Sequence, residues 1–432
     1  MKLLYHDVET NGIGYVTALF DLSEIEEELL PYAGILQSVL GIIDTEHYGY
    51  GELFNEINVH TGGIGTSLEL YTDVTKVKEK EFRATFEIKG KALDPKLDVL
   101  FAMMREILME SKLGDEKRLK EILSMLKTRL QTSFLSAGHT TAVLRSLSYT
   151  SPIARFRDIT SGIGFYEVVK DLEENFEERK ELLIENLKKI AGRIFRKENL
   201  MLSYTSAQEG LAVLEKAVPQ FADSLHTGEK ESHGQCIIHC KKRNEGFRTS
   251  SKVQYVARTG NFIDGGAEYT GALQILKVIL SYDYLWQNVR VKGGAYGCMS
   301  GFNRIGEGYL VSYRDPNLEK TMEIYEGVVD YLKNFDIDDR DMNKFIIGTI
   351  SNLDRPMNPA AKGSRSLNLY MNRITEEMIR REREQILDAQ QEDIRGLATV
   401  LEAVLAAGEL CVIGSEEKIE EAKEMFGEIR TL

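Results

Sequence analysis

Hydrophobic and polar positions follow the same order in the two halves of the chain. Each half begins with paired extended segments, followed by a helical pattern, a shorter helical pattern and two adjacent glycines. Apolar and polar residues then alternate at residues 65–72 and 82–88, and again at residues 295–301 and 308–313. Because alternation with a period of two is typical of a half-buried strand, these segments predict a sheet with one buried face in each half.

Longer segments with helical periodicity follow the strands of each half. They cover about residues 95–196 and 316–405, where apolar positions recur at about every 3.6 residues. Each half then ends on an apolar strand and a last helix, with Ser206 or Ser415 at the position expected of a helix N-cap. The pattern predicts an α+β fold with two homologous domains, each an antiparallel-rich sheet packed by several helices.

Three short segments recur in the same order in both halves, which indicates a duplicated domain. The matching pairs are YAGILQ and YTGALQ, LFNEINVHTGGIG and LWQNVRVKGGAYG, and LMLSYTS and LCVIGS. The polar, aperiodic segment at residues 223–232 is the best candidate for the connection between the copies. We therefore predict domains at residues 1–225 and 233–432, joined by a linker at residues 226–232.

The composition excludes several classes of function. The 432 residues include 68 acidic and 54 basic side chains, for a formal net charge of −14. This charge argues against nucleic acid, which needs a basic face, and favours cationic partners. No apolar run approaches the roughly 20 residues of a membrane helix, and the N-terminal MKLLYHDVETNG becomes polar too soon for a signal peptide. Four cysteines are too few for a disulfide framework, which predicts a reducing, cytoplasmic location.

Candidate metal ligands are sparse. The His-x-x-Glu-His and His-Glu-x-x-His spacings, which place two imidazoles on one helical face, do not occur. His6 and Glu9 lead into a turn rather than lying in a helix. Cys236, His239 and Cys240 lie in an alternating segment that predicts a strand, with the two thiols on one face and the imidazole on the other. We therefore predict no metal site in this chain.

Paired glycines separate a predicted helix from a predicted strand at residues 62–63 and at Gly293 and Gly294. A phosphate-binding Walker loop has the reverse order, so a tight connection with positive φ is the simpler interpretation. The second pair lies beside Arg290 and Tyr296. Arginine offers a fixed fork of donors, and a tyrosine hydroxyl can donate to a developing oxyanion. Residue chemistry leaves two interpretations open: a binding site, or a solvated basic residue beside a packed tyrosine.

A family resemblance begins at these same residues. WQNVRVKGGAYG at residues 286–297 and SYRDP at residues 312–316 closely resemble the C-terminal half of presequence-protease-like peptidases, in the pitrilysin/insulinase group of zinc metallopeptidases. Further agreement, including TNGI at residues 10–13 and EINVHTGG at residues 56–63, extends the resemblance over essentially the whole chain. It implies the insulinase/mitochondrial-processing-peptidase-like fold, in which four related α+β domains close over a peptide.

The resemblance also implies where the zinc lies. In such enzymes the N-terminal half carries His-x-x-Glu-His on a helix, the zinc-bound water is the nucleophile and the glutamate is the general base. The equivalent positions here are GILQS at residues 34–38 and GALQI at residues 271–275, and both lack the ligands. We therefore expect no metal in this chain and Zn²⁺ in a partner N-terminal half, fused or separate.

By the same resemblance, Tyr296 would hydrogen-bond the scissile carbonyl as it becomes an oxyanion, and Arg290 would orient the substrate and nearby carboxylates. Gly293 and Gly294 would complete the substrate-binding loop. The resemblance thus implies a half-enzyme that encloses unfolded peptides and is inactive alone; the alternative is a non-catalytic scaffold or assembly subunit of the same fold. Retention of both Arg290 and Tyr296 favours the peptidase. The negative net charge would suit a chamber that attracts basic peptides if its acidic side chains face inward.

Overall fold

The computed structural model describes residues 1–228 and 236–432 and contains two β-sheets with the same strand order. The strands of the first sheet are β1 (Lys2–Asp7), β2 (Ile13–Asp21), β3 (Ile64–Thr72), β4 (Phe82–Leu93) and β5 (Leu200–Ser206). Those of the second are β6 (Glu245–Thr249), β7 (Tyr255–Asn261), β8 (Gly297–Phe302), β9 (Glu307–Tyr313), β10 (Glu409–Ser415) and β11 (Glu428–Thr431). The sheet orders are β1-β5-β2-β4-β3 and β11-β6-β10-β7-β9-β8.

With β11 set aside, each strand of the second sheet takes the position of its counterpart in the first. The pairs β1–β5 and β6–β10 are parallel, and the remaining neighbours in this repeat are antiparallel. The four segments predicted from alternation are β3, β4, β8 and β9, with shifts of a few residues at their ends. The predicted α+β class is confirmed, and the shared topology supports duplication.

Helices fill the predicted helical segments in both halves. The first half contains α1 (Leu30–Val39), α2 (Tyr50–His60), α3 (Leu97–Met109), α4 (Glu116–Ser136), α5 (Gly138–Leu147), α6 (Pro152–Ser161), α7 (Ile163–Glu174), α8 (Phe176–Ile194) and α9 (Gln208–Ser224). The second contains α10 (Ala272–Tyr282), α11 (Glu319–Glu326), α12 (Val328–Lys333), α13 (Asp339–Leu353), α14 (Pro359–Met371), α15 (Glu376–Leu387), α16 (Gln391–Gly396), α17 (Ala398–Ala406) and α18 (Glu416–Glu421). None of the helices in the described part of the chain combines the length and apolar character that crossing a bilayer requires.

Helix starts follow capping chemistry at several positions. The side chains of Asp115, Ser151, Asp338, Asn358 and Thr375 each accept a hydrogen bond from a backbone N–H in the first turn of the helix that they precede. Proline follows directly at two of these sites, where its fixed φ suits the first helical residue. These caps satisfy N–H groups that have no partner within the helix.

The predicted serine caps behave differently. Ser206 is the last residue of β5, and its hydroxyl donates to the carbonyl of Ala207, which is itself the N-cap of α9. The prediction for Ser206 was therefore wrong by one residue. Ser415 is the N-cap residue of α18, but its side chain makes no capping hydrogen bond.

The two halves exchange helices across their sheets. Each sheet packs one face against the helices of its own half, through residues such as Phe86 in the first core and Leu310 in the second. The opposite face of the first sheet is covered by α14, and the opposite face of the second is covered by α5. A Cβ atom at Gly138 would overlap the Tyr255 ring, and one at Gly363 would overlap the Thr205 side chain, so glycine permits both close approaches.

The strand predicted at residues 236–240 is absent. The segment is extended but pairs with no strand in the described ranges; its alternation persists, with Cys236 and Cys240 half-buried and His239 exposed. The Cys236 N–H donates to the Ser23 carbonyl over 2.7 Å, so single contacts with the first half replace a ladder. Residues 229–232 of the predicted linker lie outside the described residues, and the domain boundaries stay a prediction.

Candidate functional site

A groove of about 640 Å³ lies where α10, the loop before β8 and the end of α13 meet. Its walls combine aromatic, aliphatic and basic side chains. The residues used below are Lys277, Tyr282, Trp286, Arg290, Tyr296 and Arg355. Both side chains that sequence analysis selected, Arg290 and Tyr296, line this groove, so the fold brings them to one place.

A π-helical turn, Trp286–Val291, positions the arginine. It occupies the place of α2 in the first half, where the sequence predicts an ordinary short helix. The Lys292 N–H donates to the Gln287 carbonyl over 3.0 Å, the five-residue spacing of a wide turn. Val289 is fully buried and anchors the turn, while Arg290 lies at the groove. Such π-helical segments are rare and frequent at functional sites.

The glycine pair then reverses the chain into β8. Gly294 has φ +83°, and Gly63 of the first pair has φ +108°, so positive φ is confirmed for the second glycine of each pair. A side chain at Gly293 would overlap the Val289 carbonyl. Asn317 fixes the loop from outside by donating its amide N–H to the Gly293 carbonyl over 2.6 Å. This tight connection holds Tyr296 close to Arg290.

Aromatic contacts orient the two candidate side chains. The Arg290 guanidinium carbon lies 4.2 Å from the Trp286 ring centroid and 5.5 Å from the Tyr296 ring centroid. Stacking of this kind holds a guanidinium plane without neutralising its charge. The Tyr296 ring packs edge-on against Tyr313 at 5.8 Å, and Tyr296 remains 65% exposed. Its hydroxyl has no hydrogen-bond partner among the described residues, so it is available to donate to a bound molecule.

The first half supports this wall through His139 at the start of α5. The His139 ring packs edge-on against Tyr313, with 4.8 Å between centroids, and lies 6.3 Å from Tyr255. Its Nδ1 atom is buried and has no partner in the described structure. Sequence analysis noted the Gly138-His139 pair only as part of the resemblance, since nothing local indicates contact with a strand so far along the chain.

Burial lowers the pKa of both His139 and His6. We therefore expect the free energy of unfolding to decrease as pH falls below about 6.5, because the unfolded chain then binds protons that the folded imidazoles do not. The loss should continue down to the lowered pKa of the folded state. Urea unfolding at a series of pH values tests this, and His139→Phe, which keeps an aromatic ring, should show a shallower pH dependence. Identical slopes for both proteins would contradict the prediction.

The groove thiol is not reactive at neutral pH. Cys298 is buried, and burial raises the pKa of its thiol to about 11, although the nearby Arg290 charge acts in the opposite direction. A protonated, buried thiol packs as a small apolar group. All four cysteines of the chain are free thiols.

The helices aligned with a zinc motif hold other bonds instead. In α1, the Gln37 amide donates to the Thr66 carbonyl over 3.2 Å, and Ser38 donates to the Gly34 carbonyl over 3.0 Å. In α10, the Gln274 amide donates to the Tyr269 hydroxyl over 2.8 Å. Within residues 1–228 and 236–432, no group of three His, Cys, Asp or Glu side chains could hold a metal ion. The residues present therefore do not fit zinc.

Two family profiles match the chain in sequence. The profile of the region associated with subfamily C of peptidase family M16 matches residues 1–172, and "PreP C-terminal domain" matches residues 244–416. The chain is 37% identical over 431 residues to Protein HypA of Clostridium perfringens, covering 99% of this chain and 44% of that protein. It is 30% identical over 424 residues to Presequence protease 1, chloroplastic/mitochondrial, of Arabidopsis thaliana, covering 98% of this chain and 39% of that protein. The chain thus spans less than half the length of these curated relatives.

The fold also matches solved structures. The peptidase M16 inactive domain from Pseudomonas fluorescens superimposes with a TM-score of 0.61 at 12% identity, covering 96% of this chain and 95% of that chain. A protease from Helicobacter pylori gives a TM-score of 0.63 at 14% identity, covering 95% of this chain and 96% of that chain. At such low identity these likenesses concern the fold, and they support the predicted architecture.

Proposed function

Because the chain belongs to the M16 peptidases and corresponds to the C-terminal half of a presequence-protease-like member, we propose that it is the non-catalytic half of a zinc-dependent oligopeptidase. In this proposal it joins a zinc-bearing N-terminal half, fused or separate, and the two enclose and degrade unfolded peptides. The four free thiols are compatible with a reducing compartment such as the cytoplasm.

The observation that carries the proposal is the meeting of Arg290 and Tyr296 on one wall of the groove. The guanidinium is stacked on Trp286 and the tyrosine hydroxyl is exposed, so neither group is consumed by an internal ion pair or hydrogen bond among the described residues. A scaffold subunit needs no free oxyanion donor beside an oriented cation. The pair therefore supports a role in substrate binding.

The chemistry assigned to this chain is positioning and charge stabilisation. When bound in the other half, zinc supplies an activated water as the nucleophile. As that water attacks the peptide carbonyl, the Tyr296 O–H donates to the oxygen that gains negative charge. Arg290 holds the peptide by its fixed donors. Both effects are large only where water is excluded, which requires that the other half close over the groove.

The division of labour predicts that the purified chain alone contains no stoichiometric zinc and cleaves no peptide. Metal analysis after dialysis and a quenched fluorogenic peptide assay measure the two properties. Addition of the zinc-bearing half should produce cleavage that a chelator abolishes. About one zinc per chain, or chelator-sensitive cleavage by the chain alone, would refute the non-catalytic assignment. A mixture that stays inactive although the zinc-bearing half binds both zinc and this chain would instead favour the scaffold.

A further inference from the structure

The groove carries a charge opposite to that of the whole chain. Lys277 of α10, Arg290 of the π-helical turn and Arg355, which follows α13, all line it, and none of its lining residues is Asp or Glu. The chain as a whole has a net charge of −14. The sequence-based idea of an acidic chamber wall therefore does not hold for this groove, and we call the three side chains the cationic triad.

The cationic triad has no carboxylate partner. Among the described residues, no ion pair within 4.0 Å involves any of its three members. Arg290 stacks on an aromatic ring, and the Arg355 guanidinium donates to the Asn352 side-chain oxygen over 2.6 Å. The acidic neighbour in sequence, Asp354, is held instead by two hydrogen bonds of 2.6 Å from Arg383. The positive charge at the groove is thus not neutralised locally.

Apolar walls surround these charges. Tyr282, Trp286 and Tyr296 line the groove beside the cationic triad. Cations in a concave site with apolar walls focus the local field, which attracts anions more strongly than isolated surface charges do. Guanidinium groups also match the two oxygens of a carboxylate with parallel N–H donors. The negative field of the rest of the chain is screened beyond about 8 Å at physiological salt, so the triad dominates inside the groove.

We propose that the cationic triad binds a carboxylate of the peptide, close to the bond that Tyr296 faces. The carboxylate has two sources with the same chemistry, an acidic side chain within the peptide or the peptide's own C-terminus. This inference rests on the proposed function in so far as the ligand is a peptide. It goes further by assigning Lys277 and Arg355 as specificity-determining residues and peptides with a carboxylate at this position as the preferred substrate class.

The chain contains a built-in reporter for this site. Trp286 is the sole tryptophan, and it lines the groove in contact with Arg290. Its emission, excited selectively, should change when a tryptophan-free peptide enters the groove. Four unstructured peptides of equal length form the test set: a central Glu or Gln, each with a free or an amidated C-terminus. Titration of the full chain with each peptide, with calorimetry as a second readout, gives four dissociation constants.

We expect a carboxylate to tighten binding by about fivefold, the effect of two favourable contacts with partly exposed charges. A difference between Glu and Gln assigns the side chain, and a difference between acid and amide assigns the C-terminus. The double variant Lys277→Gln, Arg355→Gln should lose the difference while binding the amidated Gln peptide as before. The matched control Lys117→Gln, Arg381→Gln changes the net charge equally at two exposed positions that do not line the groove and should keep it.

Equal affinity for all four peptides would overturn the carboxylate site, as would a preference that survives in Lys277→Gln, Arg355→Gln. Absence of binding in both readouts would also overturn it. These outcomes are separable from failure of the proposed function, because that function is tested by zinc content and by cleavage with the zinc-bearing half. A peptidase with no preference among the four peptides would keep the first proposal and lose the second.

Discussion

Tyr296→Phe is expected to lower the kcat of the assembled peptidase by about 10²–10³-fold while changing KM little. The substitution removes only the hydroxyl, and the ring contacts with Arg290 and Tyr313 can remain. A donor aimed at the oxyanion acts mainly in the transition state, because the charge on the carbonyl oxygen develops there. The measurement is steady-state cleavage of a peptide by the chain together with its zinc-bearing half.

Tyr282→Phe is the matched control for this experiment. Tyr282 lines the same groove and is 71% exposed, but it lies on α10 rather than on the glycine loop. We expect it to keep near-normal kcat. Equal kcat for wild type and Tyr296→Phe would rule out the oxyanion role, and a rise in KM alone would assign Tyr296 to ground-state binding.

Arg145→Met is expected to destabilise the fold by about 3–5 kcal/mol, the range for removing one partner of a buried ion pair. Arg145 of α5 is 2% exposed and donates to Asp158 over 2.6 Å and to both oxygens of Glu245 on β6 over 2.6 and 2.9 Å. Burial by itself raises the pKa of Glu245, but the Arg145 bonds and charge outweigh it and hold this pKa below its usual value. Without the guanidinium, two carboxylates would remain buried and uncompensated.

Urea unfolding followed by far-UV circular dichroism measures this effect. Arg383→Met is the control, because Arg383 makes an equally short two-bond contact with Asp354 but on the protein surface. We expect a much smaller loss there, since water replaces the lost partner. Similar midpoints for the two variants would show that burial of the Arg145 network carries no special weight. The network joins α5 of one half to β6 of the other, so its loss should weaken both halves together.

Much of the fold follows from periodicity. The alternating segments at β3 and β4 became strands within a few residues of the prediction, because one face of each packs on a helical layer. β5 and β10 are almost wholly buried, which agrees with their continuous apolar character. The exchange of α5 and α14 could not be predicted, because a helical period indicates a buried face but not the sheet that buries it. For the same reason Arg145 and Glu245 look like ordinary charged positions.

The site divides in the same way. Arg290 and Tyr296 are close in sequence, and the glycine pair between them forces a tight connection, so their proximity was predictable from local chemistry. Lys277 and Arg355 reach the groove from α10 and from the end of α13, which are far apart in the chain. The stacking role of Trp286 depends on the wide turn of the π-helix, for which the sequence carries no clear signal. Local pairs are therefore accessible from sequence, and tertiary ones are not.

The helix exchange has a consequence for how the chain is made. The first sheet is complete once β5 has been synthesised, but the helix that covers its outer face, α14, comes more than one hundred residues later. A nascent first half leaving the ribosome therefore waits with one sheet face bare. During that interval it is a client for chaperones, and it is released from them only when residues 359–371 emerge and dock.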